Sequence, residues 1–231
     1  VENIEEFGKR LENLLKYGNI RGPKRTIRVT SVSFCPLKAA LTTRYDVRFF
    51  GEKNKERILG QVLHMGLLGL IKDSWPYLQG DIEATPEIEK EVSYELGDGW
   101  LLTGRIDLVI GEHVFEFKFL SDWSYEKIPE NLDEVDEESV LNAYTEQLNA
   151  YLNMLPDAEF GHLWIFRHNE LIPWKKLEIK KDLRAFKGFL KRARDIIKLI
   201  ESMENGELPK DPKPRFEWEC KNCIFKSICF K

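Results

Sequence analysis

The chain has only four cysteines, and three of them crowd its last dozen residues. Cys220, Cys223 and Cys229 lie in the run Cys220-Lys221-Asn222-Cys223-Ile224-Phe225-Lys226-Ser227-Ile228-Cys229, while Cys35 stands 185 positions upstream of Cys220 (220 − 35) in Ser33-Phe34-Cys35-Pro36. Four thiolates with a Cys-x2-Cys core make a complete shell for a metal centre, and by count they suit zinc as well as an iron–sulfur cluster. If one shell uses all four, the fold must bring the two ends of the chain together and close nearly everything between them into one loop.

Composition allows that loop to be a folded body. At 231 residues, 42% of them apolar and 12% aromatic, the chain can bury a substantial core and is not a disordered segment. Charged residues reach 32%, above the roughly 25% of ordinary globular chains, which leans toward a thermophilic source. No apolar run approaches the ~18 residues of a membrane span, and the acidic N-terminus has no signal-peptide pattern. The expectation is a cytoplasmic protein with no membrane association, in a compartment that disfavours disulfides.

The net charge of −4 conceals strong segregation. Residues 175–198 carry ten Lys and Arg against Glu178, Asp182 and Asp195, a local +7 (10 − 3), whereas residues 126–138 hold seven acids against Lys127, a local −6 (1 − 7). A basic surface able to meet nucleic-acid phosphates can therefore exist on an acidic protein, although a solvated helix face has the same composition.

Hydrophobic periodicity predicts amphipathic helices over 2–17, 54–72 (closed by Trp75-Pro76), 139–155 and 181–203. Strands are predicted over 89–96, 100–110, 114–120, 161–167 and 171–179, with turns at Gly97-Asp98-Gly99 and Gly111-Glu112-His113. A basic linker at 21–25 and a Pro-rich one at 209–214 separate the core from its ends. The pattern is that of an α/β fold with one mixed sheet flanked by helices.

Two of these strands carry charge where apolar residues belong. Gly104-Arg105-Ile106-Asp107 places a carboxylate in an apolar strand, and Val114-Phe115-Glu116-Phe117-Lys118-Phe119 alternates, so that Glu116 and Lys118 share one face. Two carboxylates and an ammonium converging in an apolar setting are costly unless they pair or bind a cation, and Asp107 with Glu116 would suit a hard divalent ion. A structural ion pair across the hairpin would account for the same residues. His64 shares a helical face with Leu67, Leu68 and Ile71 and so points inward, and Gln147 and Tyr151 lie one turn apart on one helix face.

In this order the features resemble the RecB-like branch of the PD-(D/E)XK nucleases that carry an iron–sulfur cluster. Within that branch they resemble the stand-alone CRISPR-associated exonucleases, the Cas-four family. The match runs from Cys35 to Cys229, with Gly-Arg-Ile-Asp where the superfamily motif has Pro-Asp. The resemblance implies a restriction-endonuclease-like mixed sheet flanked by helices in a single domain over 1–231. Its core would lie at about 54–203, with an iron–sulfur-stapled lobe formed by about 30–45 and 209–231. It implies Mg²⁺ or Mn²⁺ held by His64, Asp107, Glu116 and the carbonyl of Phe117, catalysis by Lys118, and support from Gln147 and Tyr151. It also implies a cluster, four-iron rather than two-iron, on Cys35, Cys220, Cys223 and Cys229. The implied activity is 5′-to-3′ trimming of single-stranded DNA ends during spacer acquisition, beside CRISPR integration proteins, in a protein able to form homo-oligomers. The alternatives are a RecB-like recombination or repair nuclease and a zinc-stapled DNA-binding protein without catalysis.

Overall fold

The computed structural model describes residues 25–44, 54–129, 139–170, 173, 175–204, 214–221, 223 and 225–229. The expected helix over 2–17 and most of the two linkers lie outside the described residues, as does the greater part of the acidic stretch. In chain order the elements are β1 (Thr26–Arg28), α1 (Val29–Val32), α2 (Pro36–Arg44), α3 (Asn54–Leu78), β2 (Glu87–Gly97), β3 (Trp100–Ile110), β4 (His113–Leu120) and α4 (Asp122–Glu126). Then come α5 (Val140–Met154), β5 (Phe160–Arg167), β6 (Lys175–Lys180), α6 (Leu183–Glu204), a 3₁₀ turn (Glu217–Cys220) and α7 (Lys226–Cys229).

The strands form one mixed sheet. β2, β3 and β4 are successively antiparallel, β5 lies parallel to β4, β6 closes the far edge antiparallel, and β1 runs parallel to the start of β3. The β2–β3 turn puts Asp98 and Gly99 at φ +51° and +75°, the left-handed pair that a two-residue hairpin needs to follow strand twist.

β3 is shared unequally. β2 pairs with it from end to end, so β1 (on residues 101–103) and β4 (on residues 108–110) divide its other edge. Their registers leave residues 104–107 of that edge without a strand partner, and β4 separates from β3 after Phe115 while remaining paired to β5 as far as Leu120. This fork in the sheet positions the site described below.

One face of the sheet is deeply covered. α5 lies against it with Leu141, Leu148, Tyr151 and Leu152 buried. α6 packs against α2 and α5 and reaches β2, where Phe186 meets Tyr94, burying Phe186, Phe189, Leu190, Ala193, Ile196, Ile197 and Ile200. Burying each large apolar side chain contributes about 1.5–3 kcal/mol, which fixes the face each helix presents. Ser139 and Asp182 cap α5 and α6, each accepting hydrogen bonds from backbone N–H groups of the first turn. The other face carries a smaller apolar cluster, in which α3 places Leu68 on Leu108, Phe117 and Phe166.

Expectations change in detail. Pro76 lies inside α3, which runs on to Leu78, because a proline two residues from the C-terminal end sacrifices only one late backbone bond. The buried side of α3 is that of Leu67, Leu68 and Ile71, while Leu70 is 59% exposed. The basic run 175–198 is divided between β6 and α6, as the predicted strand and helix divide it. Among the described residues no helix is long and apolar enough to cross a membrane.

Candidate active site

The fork between β3 and β4 strands a backbone group. Continuing the register 108↔115, 109↔114, 110↔113 would pair Asp107 with Glu116, but the ladder stops one step earlier. The Asp107 side chain takes over: its Oδ2 accepts the Phe117 N–H at 2.7 Å. A carboxylate thus bridges the gap where the strands part, and its other oxygen, Oδ1, lies 2.9 Å from His64 Nε2 on α3. The inward reading of His64 holds, because Leu68 on the same helix face is buried.

Glu116 and Lys118 project together toward α5. Glu116 Oε1 receives hydrogen bonds from Lys118 Nζ and from Gln147 Nε2 (2.7 Å), while Gln147 Oε1 accepts from Lys118 Nζ at 3.1 Å. Gln147 Nε2 also donates to the Tyr151 hydroxyl at 3.3 Å. The helical pair and the strand pair therefore form one network. The Tyr144 ring, one turn before Gln147 and Leu148, lies 5.0 Å below the Lys118 ammonium.

Gly104 makes the close packing possible. A Cβ there would lie 2.4 Å from Tyr151 Cε1, so the tyrosine ring occupies the space that any other residue would fill. The glycine and the tyrosine read separately in the sequence are thus two halves of one contact.

Electrostatics set Glu116 apart. It is 2% exposed, its Oε2 is buried without a hydrogen-bond partner among the described residues, and Asp107 stands beside it. Burial first, then the Asp107 charge, push its carboxyl up to about 7 from the ordinary 4.5, against the pull of Lys118. Lys118 is held in its charged form: burial opposes the charge, but Glu116 and then Asp107 outweigh it. The two partners thus pull in opposite senses. The carboxylate is the weaker one, because Lys118 faces two anions whereas Glu116 has its own burial and a like charge against it. For His64, burial favours the neutral form, but the Asp107 hydrogen bond and the charges of Asp107 and Glu116 raise it.

A buried carboxylate with one orphaned oxygen, a second carboxylate, and an imidazole on that second carboxylate are a donor set suited to a divalent cation. Among the described residues no three His, Cys, Asp or Glu side chains are already gathered around one point. A cation held by both His64 and Asp107 would replace the bond between them.

The four cysteines form the second constellation. All are free thiols; Cys35 is buried, and Cys223 and Cys229 pack against the same core. Burial is the first cause that raises the thiols of Cys35, Cys220 and Cys229.

The two ends are also joined by groups that the sequence did not single out. Glu219 is 7% exposed; its Oε1 accepts the Cys35 N–H at 2.9 Å and its Oε2 the Phe216 N–H at 3.1 Å. Arg215 donates to the Ser33 carbonyl (2.9 Å) and with both guanidinium nitrogens to Glu146 on α5, which Arg192 also contacts at 2.6 Å. Phe34 packs edge-on against Phe216 and Trp218. An acid three residues after Phe216 was the one local signal, a helix-start pattern for Glu219.

The basic run is only partly free. Lys175 Nζ donates to the Tyr125 and Ile128 carbonyls, and Lys181 Nζ to those of Leu155, Pro156 and Ala158. Arg184, Lys187, Lys191, Arg194 and Lys198 instead recur at three- and four-residue spacing on the exposed side of α6.

Comparison with known proteins agrees with this geometry. A profile of the PD-(D/E)XK nuclease superfamily matches residues 37–230. The chain is 28% identical to the CRISPR-associated exonuclease Cas4 of Saccharolobus solfataricus over 98% of this chain and 97% of that one. The crystal structure of SSO0001 superposes with a TM-score of 0.61 at 27% identity, covering 98% of this chain and 96% of that one. The chain belongs to the PD-(D/E)XK nuclease superfamily, and it is accordingly a hydrolase that cleaves DNA.

Proposed function

We propose that this enzyme is a metal-dependent exonuclease that trims single-stranded DNA from 5′ ends, with an iron–sulfur cluster joining its termini, and that it prepares DNA for CRISPR spacer acquisition. The observation that carries the catalytic reading is the buried Oε2 of Glu116, without a hydrogen-bond partner among the described residues, in a network that already contains Asp107, His64 and Lys118. His64, Asp107, Glu116 and the carbonyl of Phe117 would hold Mg²⁺ or Mn²⁺. When bound, the cation supplies positive charge to the scissile phosphate and activates the attacking water.

The chain's own groups do the positioning. Gln147 and Glu116 fix the Lys118 ammonium from two sides, which aims it where charge accumulates on the phosphoryl oxygens. Tyr151, packed on Gly104, sets the position of Gln147, and Asp107 holds the backbone of Phe117. The cation row on α6 would guide the strand through its phosphates. Cys35, Cys220, Cys223 and Cys229 would ligate the cluster, four-iron rather than two-iron. Since hydrolysis moves no electrons, its role is to fix the tail against residues 33–35, where Glu219 and Arg215 already begin the closure. On this reading residues 1–231 act as one nuclease domain in the cytoplasm, working beside integration proteins.

The test is incubation of 5′- and 3′-end-labelled single and double strands with Mg²⁺, Mn²⁺ or EDTA. The proposal expects a brown protein that needs metal and releases the 5′ label first from single strands. A colourless protein with stoichiometric zinc that binds DNA without cutting would overturn it.

A further inference from the structure

Trp123 is 69% exposed, and its ring is capped on one face by Lys127, whose Nζ lies 3.3 Å from the ring centroid. Its mount is firm. Tyr125 on α4 and Ile128 just after it are buried, and Lys175 Nζ ties down the carbonyls of both. The Tyr125 ring is held further by the Arg167 guanidinium at 4.5 Å. The indole is therefore displayed by a pinned segment. It follows Lys118 by five residues, so the two Cα atoms are at most ~18 Å apart even with the chain fully extended. That distance is within about five nucleotide steps at the rise of one DNA strand.

We propose that Trp123 is a base-stacking subsite for the strand entering or leaving the catalytic fork. A nucleobase takes the ring face now covered by the Lys127 ammonium, which turns to a backbone phosphate. An exposed cation–π contact is weak enough to be exchanged for base stacking, which is sequence-tolerant because every base has a π face. The setting argues against a purely electrostatic contact, since Asp122 and Glu126 are exposed on the same short helix. The subsite should therefore act through stacking, unlike the cation row on α6. The proposal rests on the nuclease reading for the identity of its ligand, and binding in EDTA is measured apart from cleavage.

The experiment measures binding of a fluorescein-labelled single-stranded oligonucleotide in EDTA by wild type, Trp123→Ala and Trp123→Phe over a range of salt. Trp123→Ala should bind about 10-fold more weakly, or worse, with the same salt slope as wild type; Trp123→Phe should stay within about 3-fold of wild type. On an oligonucleotide with abasic positions the gap between wild type and Trp123→Ala should close. Binding by Trp123→Ala within 2-fold of wild type overturns the proposal, as does a defect of equal size on the abasic strand. A wild type that binds and shows the stacking signature but never cuts DNA overturns the catalytic reading alone. A wild type that cuts DNA while Trp123→Ala binds normally overturns the subsite alone.

Discussion

Replacing Glu116 with Gln should stabilise the metal-free protein at pH 8 and leave it nearly unchanged at pH 5. The folded carboxyl titrates at about 7 against the ordinary 4.5, so the folded state holds its proton more tightly than the unfolded chain. Stability from this group is complete below about pH 4.5 and is lost as pH rises through 7. At roughly 1.4 kcal/mol per tenfold, the full loss is about 3 kcal/mol, of which about 2–3 falls between pH 5 and pH 8. The amide of the Glu116→Gln variant cannot ionise and escapes the loss. Lys118 is charged at both pH values and faces a neutral partner in either protein at pH 5, so its contribution largely cancels from the comparison. For a chain of this size the difference corresponds to about 5–10 °C in melting temperature.

The assay is thermal or urea unfolding of both proteins in metal-free buffer at pH 5 and 8. Wild type should lose about 2–3 kcal/mol relative to Glu116→Gln over that interval. Mn²⁺ at pH 8 should restore wild type but not the variant, because a ligand that binds only the folded state stabilises it in proportion to its occupancy. Parallel pH dependence in the two proteins would refute the claim that a buried, under-partnered carboxylate occupies the fork.

Gly104→Ala should cost about 1–3 kcal/mol and impair cleavage, because its methyl group must displace the Tyr151 ring and with it Gln147; a melt matching wild type would place the ring elsewhere. Reversing Lys187, Lys191 and Arg194 to Glu should weaken single-strand binding and flatten its log–log salt slope by about 2, three phosphate contacts at ~0.7 each. An unchanged slope would return that row to an ordinary solvated face. Cys223→Ala should bleach the protein and lower its melting temperature, since closing so long a loop restricts the unfolded chain by up to about 4–5 kcal/mol on disulfide-type reasoning. A bleached variant that melts like wild type would reduce the cluster's structural role to nothing.

The three long helices, five of the six described strands and the chemistry-bearing positions were legible because they follow local periodicity, whereas β1, α1, α2 and the order of strands across the sheet were not foreseen. Alternation in β4 alone places Glu116 and Lys118 on one face, and the one-turn spacing of Gln147 and Tyr151 alone brings them to one point. What joins these pairs is tertiary. That Gly104 exists to admit Tyr151 depends on β3 passing under α5, which no window of sequence contains. Asp107 looked like one more converging carboxylate, but the fork makes it also the acceptor for an abandoned backbone N–H. The termini show the same limit. Cysteine spacing suggested that they meet, yet Glu219, Arg215 and Glu146 do so through hydrogen bonds to groups as far as 184 positions away, for which an isolated acid or arginine gives no warning. Charge counting failed most clearly in the basic run, where Lys175 and Lys181 are consumed in capping carbonyls while the α6 row, with Lys176 and Lys180 on β6, stays exposed.

The most direct test of the account is cleavage of an end-labelled single strand in Mn²⁺ by wild type, Glu116→Ala and Lys118→Ala, with Mn²⁺ binding measured on the same samples. The account predicts that wild type degrades the strand and that Glu116→Ala neither cuts nor binds the cation tightly. It predicts that Lys118→Ala binds the cation but does not cut. Cleavage near the wild-type rate by a folded, metal-replete Glu116→Ala protein would contradict it.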